Sequence, residues 1–275
     1  MKEDQLIFIQ RSSMKKKFKT TAVITGATGG IGRSFACYLA EREYDLILTD
    51  VRNKQLQALA GILRKRYAVK IKTELTDLSN PLETSRFANK LKKLNNIEIL
   101  INCAGYGEGI RFDKEKISAQ LKMIRLHVMA TVQLTHAVLP VLIRRRKGKI
   151  ITVSSIAAFI PAPGSSIYAA TKSFLNSFME SIHMEVHKYG VQVQSLCPGF
   201  TRTGFHTRLK KTGRRNKINP AIPLMEADEV VRYSFKCLDK GKTICIPGFF
   251  NKTLKHILPL LPRQSFYSIT EKISE

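Results

Sequence analysis

The chain has 275 residues, of which 44% are hydrophobic and 24% are charged. This composition is typical of a globular protein with a sizeable core, and it excludes a collagen-like chain, a disordered acidic chain and a disulfide-rich miniature scaffold. The formal net charge is +25. Such an excess of positive charge favours an anionic partner: nucleic acid, an anionic membrane or an acidic substrate. The alternative is an ordinary enzyme whose surface is rich in lysine.

Residues 1–18 are predicted to be a flexible extension. Their apolar run, 6–9, comes before a cluster of lysines at 15–19, which reverses the order of a secretory signal. No apolar run reaches the ~18 residues that a membrane span needs. The five cysteines lie far apart without the spacing of metal ligands, which favours a reduced, intracellular chain. We therefore expect a soluble, cytoplasmic protein.

Short apolar strands alternate with helices between residues 19 and 250. Strands are predicted at 21–24, 46–48, 69–75, 97–101, 150–153, 191–196 and 243–246, and helices after Gly32, at 53–66, from Pro81, and at 116–145, 165–188 and 226–239. Apolar strands with helices between them indicate a parallel sheet covered on both faces. The sequence therefore predicts a single-domain α/β fold, a doubly wound, Rossmann-like parallel sheet, followed by an apolar, basic tail at 251–275 that packs on the domain or on a partner.

Three glycines, Gly26, Gly30 and Gly32, follow the first strand and open the first helix. A turn without side chains lets the backbone approach a pyrophosphate, and the helix N-terminus offers it N–H groups and a partial positive charge. Asp50 ends the second strand, where a carboxylate would bind the ribose 2′-hydroxyl of NAD and repel the 2′-phosphate of NADP. Arg52 could instead reach that phosphate, but on charge the sequence favours NAD(H) over NADP(H).

Five motifs occur in a single order along the chain. They are Thr25-Gly26-Ala27-Thr28-Gly29-Gly30-Ile31-Gly32, Asn102-Cys103-Ala104-Gly105, Ser155, Tyr168-Ala169-Ala170-Thr171-Lys172 and Pro198-Gly199. Together they resemble the short-chain dehydrogenase/reductase family over residues 19–250. The resemblance implies an NAD(P)-dependent oxidoreductase that interconverts a carbonyl and a secondary alcohol, and a homodimer or homotetramer that forms through the two long helices.

Tyr168 and Lys172 are four residues apart, so on a helix they share a face. A cation beside a phenol lowers the phenol pKa, which suits acid–base work near neutral pH. By resemblance, Tyr168 is the general acid and base, Ser155 polarises the carbonyl, and Lys172 lowers the tyrosine pKa and binds the nicotinamide ribose. The family usually carries an asparagine where this chain has His127, which either serves in the proton relay or is a buried core residue.

The resemblance also implies a wider set of cofactor contacts. They are Thr28 and Ile31 in the glycine turn, Asp77 and Leu78 at the adenine, and Pro198, Gly199, Thr201 and Thr203 near the nicotinamide and pyrophosphate. Asn102, Ala104 and Gly105 resemble the turn that lies behind the adenosine ribose and steadies the central sheet. For the two threonines after Gly199, capping of a loop is the alternative.

Residues 206–217 carry six Lys or Arg and no acidic residue. By resemblance they form the substrate lid, where cations would suit an anionic or acyl substrate, such as an acyl group on coenzyme A or on an acidic carrier protein. A solvated loop is the alternative.

The apolar tail either contacts an anionic membrane, covers the pocket or meets another subunit. No nucleic-acid motif is present, so we expect no such partner. The alternative function is a nucleotide-binding sensor or scaffold with little turnover.

Overall fold

A computed structural model describes residues 20–107, 109–161, 163–203, 224–257 and 261–274. The strands are β1 (Thr21–Thr25), β2 (Asp45–Asp50), β3 (Ile71–Leu75), β4 (Ile97–Asn102), β5 (Gly148–Val153), β6 (Val191–Leu196), β7 (Thr201–Arg202), β8 (Met225–Glu226) and β9 (Ile244–Cys245). The helices are α1 (Gly30–Ala40), α2 (Asn53–Arg66), α3 (Pro81–Lys92), α4 (Ile117–Ile124), α5 (Ala130–Arg145), α6 (Ser166–Val186), α7 (Ala227–Asp239), α8 (Phe249–Ile257) and α9 (Arg263–Ser274). The predicted extension 1–18 and the basic segment 206–217 lie outside the described residues.

Seven strands form one parallel sheet in the order β3-β2-β1-β4-β5-β6-β9. The strand order reverses between β1 and β4, and in open parallel sheets a crevice opens at the carboxyl ends of the strands at such a reversal. The predicted fold class, a doubly wound parallel sheet covered by helices on both faces, is confirmed.

Two apolar layers cover the two faces of the sheet. Alternate side chains of β1 point to opposite faces, so Ala22 and Ile24 join the layer beneath α1, α2 and α7, whereas Val23 joins the layer beneath α3, α5 and α6. All three side chains are fully buried. The continuous apolar character of the strands is therefore explained by burial on both faces.

The long helix predicted at 116–145 is interrupted by one π-helical turn, Arg125–Met129, which separates α4 from α5. By length and composition, Ile117–Arg145 is the one described helical stretch that could cross a membrane. Half of its most apolar window is buried, because Leu134 and Val138 of α5 pack in the core against the sheet. Core packing therefore accounts for its apolar character.

The sequence did not predict the short parallel pair of β7 and β8 or the two tail helices. Pro262 comes directly before α9, and proline is tolerated at the start of a helix but not in its interior. The first tail helix contacts the short 3-10 helix Ile156–Phe159, which follows β5. This contact brings the tail next to the carboxyl edge of the sheet.

Candidate active site

A cleft of about 670 Å³ lies at the carboxyl edge of the sheet. Almost every residue that the sequence predicted for the site lines it. The predicted residues that do so are Gly26, Thr28, Gly30, Ile31, Gly32, Asp50, Asp77, Leu78, Ala104, Gly105, Ser155, Tyr168, Lys172, Pro198, Gly199, Thr201 and Thr203. Asn102 and His127 are the two exceptions.

The glycine turn forms one end of the cleft. Gly26 has a φ of +62°, and a Cβ there would lie 2.7 Å from the Ala104 Cα, so a side chain would be strained and crowded. A Cβ at Gly30 would overlap the side chain of Thr203. The first turn of α1 has no side-chain cap, so its N–H groups remain available to an anion. This bare, electropositive turn fits the pyrophosphate of a dinucleotide.

Asp50 lies beside the glycine turn, at the end of β2. Its Oδ2 accepts hydrogen bonds from the Thr28 amide at 3.1 Å and from the Thr28 hydroxyl at 2.8 Å. The backbone N–H of Arg52 donates to Oδ1 at 3.1 Å. Burial works to raise the pKa of Asp50, but the hydrogen bonds from Arg52 and Thr28 outweigh it and hold the pKa below its usual value. The carboxylate at the end of β2 therefore stays ionised, and it is paired with the guanidinium of Arg52.

Ser155, Tyr168 and Lys172 converge at the other end of the cleft. Ser155 Oγ accepts the Ala157 amide at 3.1 Å, and its hydroxyl is also hydrogen bonded to Tyr168. Lys172 lies one turn after Tyr168 on α6, and its Nζ is 5.6 Å from the centre of the tyrosine ring. The ammonium donates to the carbonyl oxygen of Val153 at 2.8 Å. The structure thus brings a hydroxyl, a phenol and an ammonium together in one cleft.

The pKa of Tyr168 corrects one expectation from the sequence. Burial raises it above 10, the hydrogen bond from Ser155 acts in the opposite direction, and the buried thiol of Cys197 raises it further. Burial also lowers the pKa of Lys172 to about 8. In the free protein burial therefore outweighs the Ser155 hydrogen bond, and the pKa of Tyr168 is raised and not lowered.

The surroundings of His127 agree with the second of the two roles left open for it, a buried core residue. It lies in the π-helical turn, 1% exposed and behind the cleft. Its Nε2 accepts the Tyr106 amide at 3.2 Å, so the ring hydrogen is on Nδ1, which donates to Thr171 Oγ1 at 3.0 Å. Burial, followed by the charge of Lys172, lowers the histidine pKa well below 6.5. The ring therefore holds the Tyr106 backbone and Thr171 in position, and its part in a proton relay stays a prediction.

Asn102 lies behind the cleft and does not line it. Its Nδ2 donates to Thr152 Oγ1 at 3.2 Å and to Thr135 Oγ1 at 3.3 Å. The side chain therefore joins β5 to α5 inside the core. These contacts agree with the expected role in steadying the central sheet, and its contact with a cofactor stays a prediction.

Asp77, which the sequence predicts to contact the adenine, forms an ion pair with Lys122. The Nζ of Lys122 lies 3.4 Å from Asp77 Oδ2, and the Ser79 amide donates to Asp77 Oδ1 at 2.9 Å. Burial works to raise the pKa of Asp77, but Ser79 and Lys122 together hold it below its usual value. Sequence reasoning missed Lys122 and Leu126, which both line the cleft. Their i, i+4 spacing on the helix that leads to His127 is the signal that could have found them.

The chain matches the family model described as short chain dehydrogenase over residues 20–213. It is 33% identical over 180 residues to the very-long-chain 3-oxoacyl-CoA reductase of Phaeosphaeria nodorum, a match that covers 64% of this chain and 53% of that protein. It is 31% identical over 195 residues to the inactive hydroxysteroid dehydrogenase-like protein 1 of Pongo abelii, covering 70% of this chain and 59% of that protein. Each match thus spans less than two thirds of the curated relative.

Among solved structures, the fold is similar to a short-chain dehydrogenase from Sphingobium yanoikuyae in complex with NADPH. The two chains are 30% identical, with a TM-score of 0.79, and the match covers 90% of this chain and 95% of that chain. The likeness therefore includes most of both folds.

Proposed function

The chain belongs to the short-chain dehydrogenase family of oxidoreductases, and on this premise we propose that it interconverts a carbonyl and a secondary alcohol with a nicotinamide dinucleotide. The observation that carries the proposal is the contact between Ser155 and Tyr168 beside Lys172, in the same cleft as the glycine turn. The glycine turn would hold the pyrophosphate, and Lys172 would hold the nicotinamide ribose. The bound cofactor supplies or accepts the hydride.

The three side chains would divide the work at the carbonyl oxygen. Ser155 accepts the Ala157 amide, and its one hydroxyl hydrogen, which is donated to Tyr168 in the free protein, would turn to the carbonyl oxygen when the substrate binds. Tyr168 gives that oxygen a proton during reduction and removes it during oxidation. Lys172 lies close enough to stabilise the phenolate that remains. A raised phenol pKa keeps Tyr168 protonated, as a general acid must be, until the proton is transferred.

We propose NAD(H) as the preferred cofactor. The support is the buried, ionised carboxylate of Asp50 at the end of β2, because a 2′-phosphate placed there would meet a like charge. The Sphingobium yanoikuyae relative was solved with NADPH, so the proposed preference rests on the present residues and is not carried over from that relative.

We propose an acyl or lipid-like carbonyl as the substrate. The name of the Phaeosphaeria nodorum relative, a very-long-chain 3-oxoacyl-CoA reductase, supports this class. The cleft also offers apolar contacts beside the catalytic end, from Leu126, Ile156 and Phe200. An apolar chain would bury against these residues, and the basic character of the protein suits an anionic carrier group.

The experiment is a steady-state assay of NADH oxidation with 3-oxoacyl thioesters of increasing chain length. We expect turnover that improves with chain length, and a loss of ~100- to 10,000-fold in kcat for Tyr168→Phe with NADH affinity unchanged. Tyr267→Phe is the matched control, since Tyr267 is half-exposed on α9. Equal rates for Tyr168→Phe and the wild type would remove the tyrosine from the mechanism.

A nucleotide-binding protein with little turnover is the second candidate. It is favoured by the similarity to a relative that is named inactive, and by the replacement of the usual asparagine by His127. Tight binding of NADH without turnover of any carbonyl in the panel would establish it. In that case Tyr168→Phe would leave the affinity for NADH unchanged.

A homodimer or homotetramer is proposed through the face of the two long helices. Apolar side chains are exposed there, among them Met129 and Phe174. Phe174 stacks on Phe178, which gives this face a flat aromatic surface. Sedimentation velocity checks the proposal: Phe174→Glu is expected to lower the mass of the particle towards that of one chain, whereas a wild type that sediments as a monomer contradicts it.

A further inference from the structure

A second pocket, much smaller than the cleft, lies at the start of α6. Its volume is about 10 Å³, which is about the space needed to hold one water molecule. The first turn of α6 and Gln120 of α4 line it, together with Ile110 and Phe112 from the segment that precedes α4. Tyr168 lines both this pocket and the large cleft. The two spaces therefore adjoin at Tyr168.

Gln120 is the buried polar side chain of this small pocket. It is only 6% exposed, and its amide makes no hydrogen bond with any residue that the structure describes. Neither atom of the amide is among the fully enclosed polar atoms without a partner, so the amide reaches the small part of the side chain that stays open, which is the pocket. Burial of an amide without a partner destabilises a fold. Packing alone therefore does not account for a glutamine here.

The start of α6 offers further donors to the same pocket. Its first turn has no side-chain cap, and the N–H groups of Ser166 and Ile167 have no hydrogen-bond partner within the described part of the chain. The N–H groups of a first helical turn point out of the helix end, where the macrodipole adds a partial positive charge. Donors from two separate helices, α4 and α6, therefore face a space that fits one acceptor atom.

We propose that this pocket is a substrate subsite, in which Gln120 and the start of α6 bind a second carbonyl oxygen of the substrate. The inference rests on the proposed function, because it assumes that the first carbonyl lies at Tyr168. Tyr168 is the third residue of α6 and residues rise 1.5 Å each along a helix, so the two oxygens lie a few bonds apart. A 3-oxoacyl compound has this pattern, whereas a simple ketone does not.

The size and the lining of the pocket select this ligand group. A space for one water-sized group accepts a single oxygen but excludes a phosphate, which carries several. The apolar side chains of Ile110 and Phe112 lie beside the donors, where they suit the carbon atoms that flank a carbonyl. Bound water is the other occupant of the right size, and it would make Gln120 a residue of purely structural importance.

Titration calorimetry on the full chain with saturating NAD⁺ tests the proposal, because a ketone cannot react with the oxidised cofactor. The probes are methyl 3-oxooctanoate and 5-decanone, which has the same chain length without the second carbonyl. We expect the wild type to bind the oxoester at least ~tenfold more tightly than the ketone. Gln120→Leu should remove about tenfold of this preference, which is the effect of one lost hydrogen bond to a ligand.

Two further variants separate hydrogen bonding from packing. Gln120→Glu keeps the size of the side chain but cannot donate when it is ionised, so it should lose the preference as well. Gln55→Leu is the matched control, since Gln55 is an exposed glutamine of α2, and it should bind both probes like the wild type. The melting temperature of Gln120→Leu should stay the same or rise, because leucine buries no amide without a partner.

Each outcome decides the matter. Loss of the preference in both Gln120 variants, with an unchanged affinity for 5-decanone, supports the subsite. It is overturned if the wild type binds both probes equally, if Gln120→Leu keeps the preference, or if Gln120→Leu only lowers the melting temperature, which would make the pocket a water site. Reduction of both probes by NADH is measured separately. Turnover without a Gln120-dependent preference leaves the proposed reaction intact and removes the subsite, whereas the preference without turnover keeps the subsite and removes the reaction.

Discussion

Arg52 holds Asp50 by both of its carboxylate oxygens. The Nε donates to Oδ1 at 3.0 Å and the Nη2 donates to Oδ2 at 3.1 Å, while the backbone amide of Arg52 reaches Oδ1 as well. The aspartate side chain is 4% exposed, whereas the arginine side chain is 38% exposed at the edge of the cleft. The pair therefore places a buried negative charge and an accessible positive charge next to each other at the glycine turn.

The first prediction is that Asp50→Asn shifts cofactor choice towards NADPH. The wild type should bind NADH more tightly than NADPH, because the carboxylate repels a 2′-phosphate. Removing its charge should raise the ratio of NADPH affinity to NADH affinity by about tenfold, which corresponds to about 1.4 kcal/mol. Isothermal titration with both cofactors in parallel measures the ratio.

Glu74→Gln is the control for this ratio, since Glu74 is an acidic residue of the neighbouring strand β3 that pairs with Lys90 and does not line the cleft. Arg52→Ala separates the two charges: it should weaken NADPH binding more than NADH binding if the guanidinium reaches the phosphate. A wild type that prefers NADPH would show that Arg52, and not Asp50, decides the cofactor.

The second prediction concerns His127 and the dependence of stability on pH. Its pKa in the folded chain is well below 6.5, so below pH 6.5 the unfolded chain binds a proton that the folded chain does not. Stability is therefore complete above pH 6.5 and is lost as the pH falls, by up to about 1.4 kcal/mol per pH unit. Urea unfolding between pH 5 and pH 7 (about the range of an ordinary histidine) measures this slope.

His127→Asn is the matched variant, because an amide can also accept from Tyr106 and donate to Thr171 but does not titrate. The variant should lose the slope and keep most of the turnover. His127→Ala, which leaves the Tyr106 amide without this acceptor, should lower both stability and kcat. An unchanged slope in His127→Asn would show that another group is responsible.

Most of the fold follows from local sequence patterns. The alternation of apolar strands with helices predicted all seven strands of the sheet, since burial on both faces leaves a continuous apolar run that is easily identified. The glycine turn and the four-residue spacing of Tyr168 and Lys172 are also local, and both put their residues in the cleft. Patterns within one turn or one strand were therefore enough for these elements.

The sequence was least informative where partners come from distant parts of the chain. The ring of His127 is fixed by Tyr106 and Thr171, 21 and 44 residues away. The pKa of Tyr168 depends on how completely the folded chain removes water from it, which no spacing reveals. The orientation of α8 depends on contacts with Gly199 and Phe159, so the pattern of the tail residues alone could not predict it.

The third prediction separates structural from cofactor-binding residues. Asn102→Ala should lower the free energy of unfolding by about 1–3 kcal/mol, because it leaves the buried hydroxyls of Thr135 and Thr152 without a donor. The affinity for NADH should not change, since Asn102 does not line the cleft. Asn95→Ala, at an exposed contact with Arg144, is the control and should change stability by less than ~0.5 kcal/mol. A loss of NADH affinity in Asn102→Ala would support its predicted contact with the cofactor.

The last prediction is an alkaline limit on carbonyl reduction set by Lys172. Reduction needs the phenol of Tyr168 and the ammonium of Lys172 both protonated; burial raises the first pKa above 10 and lowers the second from 10.5 to about 8. Above pH 8, kcat/KM should therefore fall by up to about tenfold per pH unit. Unfolding does not cause this fall. An unfolded lysine keeps its proton up to about pH 10.5, whereas the folded Lys172 loses it near pH 8. Between these pH values Lys172 therefore makes the free energy of unfolding rise with pH. A flat profile to pH 10 would show that the reaction does not depend on the charge of Lys172.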